Sequence, residues 1–156
     1  MAFKIEEQAV TFRWPVKVRM PKDGGDHEEV EIAATMQHMP PSWRERRRKE
    51  AEELDADGKS LASKEFSTWV KAAGLDTIVD LHHIDRLKLL RIVDEDGNEI
   101  TETTPLDAET KKLVIGKFMD YPHIEQAISR AYSEALSGAE NQPKHRVGNS
   151  RTPFAN

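Results

Sequence analysis

The chain is predicted to be α+β and mainly α-helical, an N-terminal antiparallel β-hairpin followed by about five helices, and three features predict it. Residues 11–36 alternate apolar and polar side chains around a glycine turn. The stretch after residue 40 spaces its apolar residues three and four apart. Proline or glycine punctuates most of the joins. The 156 residues are enough for one hydrophobic core and give no reason to expect two. Accordingly, residues 1–138 read as a single domain, with the β-hairpin over 1–40 and a helical part over 41–138. Residues 139–156 have almost no apolar periodicity and read as a flexible polar tail.

In the stretch TFRWPVKVRM, residues 11–20, Phe12, Trp14, Val16, Val18 and Met20 share one face, and Thr11, Arg13, Lys17 and Arg19 share the other. That period of two marks a half-buried strand. Asp23-Gly24-Gly25-Asp26 supplies residues that tolerate positive φ, and Val30, Ile32, Ala34 and Met36 then repeat the pattern. Two strands alone are marginal in water. Their apolar face needs helices or a second copy over it, and the unpaired hairpin edge leads us to expect a homo-oligomer.

MPPSW, residues 39–43, ends the hairpin, and a helix starts near Ser42. Its only apolar anchors are Trp43, Ala51 and Leu54, while Arg46/Glu50, Arg48/Glu52 and Lys49/Glu53 fall four apart, so it should be largely exposed. Its basic start and acidic end oppose the helix dipole. DADGKS, residues 55–60, reads as a loop. The next helix aligns Ala62, Phe66, Trp69, Val70 and Ala73 toward the core and ends at Gly74. Asp76 is the expected cap of a central helix over 77–93, in which Ile78, Leu81, Ile84, Leu89 and Ile92 cover a wide face. DEDGNE, residues 94–99, breaks it as a turn. Thr104 and Pro105 should open a helix that carries Leu113, Val114 and Phe118 inward. The last helix opens at Pro122, aligns Ile124, Ala127, Ile128, Ala131 and Ala135, and closes at Gly138. The short link before it makes an αα-hairpin.

Chemistry is sparse. With no cysteine, disulfides, thiolate metal sites and cysteine nucleophiles are excluded. The loops around Gly58 and Gly97 miss the ligand spacing of a calcium-binding hand. His82 and His83, as neighbours on a helix, would point about 100° apart and could not share one ion. No metal and no cofactor are therefore expected. The absence of a phosphate loop or a nucleophile elbow argues against an enzyme. A net charge of -5 argues against binding nucleic acid with the whole domain, and the glutamates interleaved in RERRRKE favour a solvated helix face there. No segment resembles a signal peptide or could span a bilayer, so a soluble intracellular protein without membrane contact is expected. The candidate partner-binding residues are Phe12, Trp14, Val16 and Val18 on the hairpin, with Trp43, Arg46 and Arg47 on the basic helix.

Taken in order, FRWPVKVRMPKDGGDHEEVEIAATMQHMPPSW, VDEDGNEI, DYPHIEQAISRAYSEAL and the closing VGNS resemble the tail assembly chaperones of long-tailed, siphovirus-type bacteriophages. The resemblance covers most of the chain and lies in the order and spacing of these parts. Such proteins often carry a tryptophan just before the acidic-glycine turn, where this chain has Leu90, Arg91, Ile92 and Val93. The resemblance implies a small, largely helical, non-catalytic protein of the host cytoplasm, absent from the mature virion. It would bind the tape measure protein, keep its long helices soluble and help recruit the tail tube protein. The same features suit a small accessory or regulatory adaptor that binds nucleic acid or a regulator through the basic helix 42–54.

Overall fold

The alternation over residues 11–36 becomes two long strands, β1 (Val10–Lys22) and β2 (Asp26–His38), in the computed structural model, which describes residues 2–59 and 63–138. They pair antiparallel in one register, with Phe12 opposite Met36 and Val16 opposite Ile32. Gly24 and Gly25 turn the chain at φ of 94° and 83°, a conformation a side chain would strain.

The main departure from the sequence reading lies at residues 77–93, where no central helix forms. Ile78–His82 is a third strand, β3, antiparallel to β2, so the hairpin is part of a three-stranded sheet in the order β1-β2-β3. The cause is a bulge. Met36 stands opposite Ile78 but Thr35 stands opposite Asp80, so β3 carries one extra residue. Ile78 and Leu81 are three apart, which mimics a helix, yet the bulge brings both onto the inner face, where they are buried. A 3-10 turn, Ile84–Leu87, follows between His83 and Lys88, both in left-handed conformation at φ of 59° and 56°. The outer side of β3 is covered by the 101–103 segment, whose Thr103 N–H donates to the Leu81 carbonyl at 3.0 Å. The outer side of β1 is left as the open edge. Pro15 and Pro21 lie in that strand, where a missing donor costs least.

Four α-helices form rather than about five: α1 (Pro41–Ala56), α2 (Lys64–Thr77), α3 (Ala108–Met119) and α4 (Pro122–Ser137). α1 has no buried residue, as its composition predicts, and runs two residues into the stretch read as a loop. The stripe of α2 is half-buried rather than core: Phe66, Trp69, Val70 and Ala73 all keep some exposure, and Ala62 lies outside the described residues. Gly74 is inside α2, not at its end. The Met119 side chain of α3 packs where a Cβ would stand, so side-chain packing across the two helices accounts for this glycine better than a cap does. Asp76 caps no helix.

α3 begins later than Thr104. Thr103 is fully buried against β3, and Asp107 takes the cap, its carboxylate accepting from the Thr110 amide at 2.8 Å. Val114, Ile115, Phe118 and Met119 face inward, whereas Leu113 is 62% exposed, because it lies about a quarter-turn round from Val114. α4 matches its expected bounds and closes at Gly138 with φ of 71°. It crosses the inner face of β1 and β2, α2 packs on α3 and α4, and α3 packs on β3. The hairpin's apolar face is therefore covered by helices of its own chain. Phe118, Ile32, Met36, Leu81 and Ile124 meet in this core. Among the described residues no helix is long and apolar enough to cross a membrane, and residues 139–156 lie outside that range.

Candidate functional site

The first turns of α1 place Trp43, Arg46 and Arg47 at helical spacings that share a face, and that face meets α2. The Arg47 guanidinium lies 3.8 Å from the centroid of the Trp69 ring and 5.7 Å from that of Trp43. It is held between two electron-rich faces, with a Glu50 carboxylate oxygen 3.7 Å away. Each indole is fixed by its own N–H: Trp43 Nε1 donates to Asp76 at 2.9 Å, and Trp69 Nε1 donates to Glu50 at 3.2 Å. Arg46 lies 4.0 Å from both carboxylates. The Arg47 side chain is only 12% exposed. Its burial pulls the guanidinium below its ordinary pKa, while Glu50 and Asp76 push the other way, and it stays charged. Because α1 buries no residue, this clamp is its chief attachment to the domain.

Two open grooves flank the clamp. One, of about 520 Å³, runs between residues 7–9, the end of β2 and the start of α1, with Trp43, Arg46 and Asp76 in its wall. The other, of about 500 Å³, lies between α1 and α2 and carries the carboxylates of Glu50, Glu53, Asp57, Glu65 and Asp76 against Arg46 and Arg47. Of the rest of the basic run, Arg48 is neutralised within α1. Arg48 bridges Glu45 and Glu52, and its hydrogen bond to Glu45 lowers the carboxyl's pKa. The Lys49/Glu53 pair expected beside them does not form.

The hairpin residues divide differently. Val16 and Val18 are fully buried in the core and present nothing to a partner. Phe12 and Trp14 are half-buried where β1 meets α4. Phe12 stacks on Tyr132 at 6.4 Å and meets Trp14 edge-on at 6.5 Å. The Tyr132 hydroxyl donates to the Gln37 carbonyl at 2.9 Å, which ties α4 to the end of β2. Of the seven residues picked from sequence, Trp43, Arg46 and Arg47 come together on one surface and Phe12 and Trp14 on another. The first group's partners Trp69 and Asp76 read in sequence as a core residue and a cap, because nothing local links them to α1. Glu50 was visible as the i+4 partner of Arg46.

His82 and His83 do not lie on a helix. His82 ends β3, buried, with Nε2 2.8 Å from the Thr35 hydroxyl and Nδ1 2.8 Å from Glu102. An ionised carboxylate only accepts, so Nδ1 donates to Glu102, and in the neutral ring Nε2 accepts from Thr35. That bond holds the Glu102 carboxyl below the usual glutamate range. The order hydroxyl, imidazole, carboxylate is that of a nucleophilic triad, but none of these residues lines either groove beside the clamp. What the chain of bonds does is join β2, β3 and the 101–103 segment. Among the described residues no group of three or more histidine, aspartate or glutamate side chains could hold a metal ion. No protein-family model, curated protein or solved structure matches the chain.

Proposed function

We infer that the protein is a non-catalytic tail assembly chaperone of a long-tailed bacteriophage, which binds the tape measure protein in the host cytoplasm and helps recruit tail tube subunits. The observation that carries this reading is the ordered run of segments: a basic aromatic strand, a glycine turn, a second strand closed by prolines, the acidic-glycine turn at 94–99 and the terminal helix before a polar tail. The exposed surface of α1 supports it. Trp43 and the two adjoining grooves offer apolar contact for a helix of the partner, and the charged remainder of α1 keeps a complex in solution. The alternative, an adaptor gripping nucleic acid through residues 42–54, finds less support, because Arg46, Arg47 and Arg48 are already engaged by Glu45, Glu50, Glu52 and Asp76.

Co-expression with the candidate tape measure gene tests the reading. The expected result is a soluble partner that copurifies with this protein and precipitates without it. Equal solubility in both cases with no copurification, and retention of labelled DNA at low salt, would replace the chaperone with the adaptor.

A further inference from the structure

Residues 2–9 belong to no strand or helix, yet the start of this arm alternates like a strand. Phe3 and Ile5 are 78% and 83% exposed, and Lys4 and Glu6, paired at 3.1 Å, take the intervening places. The Ser42 hydroxyl donates to Glu7 at 2.9 Å, which fastens the arm to the start of α1 and leaves residues 2–6 beyond the anchor. Two large apolar side chains on an anchored segment find nothing in their own chain that buries them.

The outer edge of β1 is the matching surface. Leu81 stands opposite Ala34 but directs its amide and carbonyl to Thr103, away from β2. Ala34 therefore bonds toward β1, where Trp14 is its partner, and the odd-numbered residues of β1 turn their backbone groups outward. Pro15 and Pro21 fall on that outward set and remove two donors, while Lys17 and Arg19 between them keep theirs. Every charged side chain of β1 is basic: Arg13, Lys17, Arg19 and Lys22. A second β1 laid on this edge would bring like charges together. The free part of the arm brings one acid, Glu6, and its one base, Lys4, is already paired with it.

We propose that residues 2–6 of one copy add as a strand to the edge of β1, over residues 16–20, in a second copy. The two segments match in length, and the free part of the arm spans at most about 17 Å when extended, enough to run the full distance between the prolines. With Lys4 and Glu6 on the sheet's outer face beside Lys17 and Arg19, strand alternation sends Phe3 and Ile5 to the inner face beside Val18 and the half-buried Met20. The interface follows the mode of an added strand: backbone bonds supply attraction, and alternate side chains supply the register.

Because the chain has no cysteine, the contact can be trapped with single substitutions. Glu6→Cys and Lys17→Cys proteins, mixed and oxidised, should form the mixed disulfide at least about tenfold faster than Glu6→Cys mixed with Lys112→Cys, which sits on the exposed side of α3. Sedimentation of the native chain should show an average mass that rises above 17.8 kDa with concentration. Phe3→Asp with Ile5→Asp should hold it at the monomer mass with an unchanged circular dichroism spectrum. Lys17→Glu with Arg19→Glu should weaken association, and mixing that protein with Glu6→Lys should restore it. A monomer at every concentration, association indifferent to the arm, or equal cross-linking at residues 17 and 112 would each overturn the proposal.

Discussion

Among the described residues Phe118 is the largest fully buried side chain, on α3 where the helix layer meets the sheet. Phe118→Ala removes a ring that the surrounding backbone cannot collapse to replace, and it should cost about 3–5 kcal/mol in denaturant unfolding. Glu102 illustrates a different control. Its pKa is lowered by the His82 hydrogen bond, so the folded state favours the carboxylate. The contribution is present above the glutamate's unfolded pKa and is lost as pH falls through the lower folded value. Glu102 is well exposed, so solvent screens the effect and the change should be small. Glu102→Gln should flatten that acid limb of the stability curve, read from urea midpoints between neutral pH and the acid range, and leave the neutral limb's shape alone. Neither Phe118 nor Glu102 shows its partners to a local reading. Phe118 announces itself as apolar at helical spacing, whereas the bond from His82 to Glu102 spans twenty residues.

At the scale of elements, α1 offers the sharpest test. A helix of 16 residues with no buried side chain draws its attachment from the Trp43–Arg47–Trp69 stack and its two carboxylates. Arg47→Ala should release it. Hydrogen exchange over 41–56 should accelerate while the amides joining β1 and β2 stay protected, and global stability should fall by only about 1–2 kcal/mol, between the values of an exposed and a desolvated cation–π contact. Arg47→Lys should fail to restore protection, since an ammonium cannot lie flat between two rings. The same element shows what the sequence could disclose. Its exposure and its Arg46/Glu50 and Arg48/Glu52 pairs are legible at a spacing of four. Its docking is not, because Asp76 lies thirty-three residues from Trp43. The hairpin and α4 were legible for the same local reason, a clean period of two in one and a capped stripe in the other. β3 was not. A single bulge turned a strand's spacing into a helix's, and its polar residues are satisfied from afar, Asp80 by Lys111 of α3 at 2.7 Å and His82 by Thr35 and Glu102.

For the whole molecule, the charge pattern decides which kind of partner the surface suits. The net charge is -5, and three of the basic residues that might have formed a phosphate grip, Arg46, Arg47 and Arg48, are spent on α1's own acids and on Asp76. β1 is uniformly basic but faces the glutamates of β2 across the ladder, Lys17 opposite Glu31 and Arg19 opposite Glu29. Neither surface carries the unbalanced positive field that counterion release requires. On the proposed function, a long helical partner would meet the Trp43 surface and the grooves around it, a small contact whose strength would come from repetition. Many copies along one extended partner would convert modest single affinities into durable coverage. Two measurements follow on the copurified complex. Quantitative amino-acid analysis should find several copies of this protein per tape measure chain. Raising salt from 50 mM to 200 mM should change the affinity by less than about tenfold, whereas six to ten phosphate contacts would lose about 10³ to 10⁵ over the same range. Trp43→Ala should lower the number of copies bound, because it removes apolar area from each contact and frees Arg47 and Asp76 from the clamp, and the salt dependence should stay below about tenfold. A one-to-one complex that dissolves steeply with salt would show that charge, and not the repeated apolar contact, carries the binding.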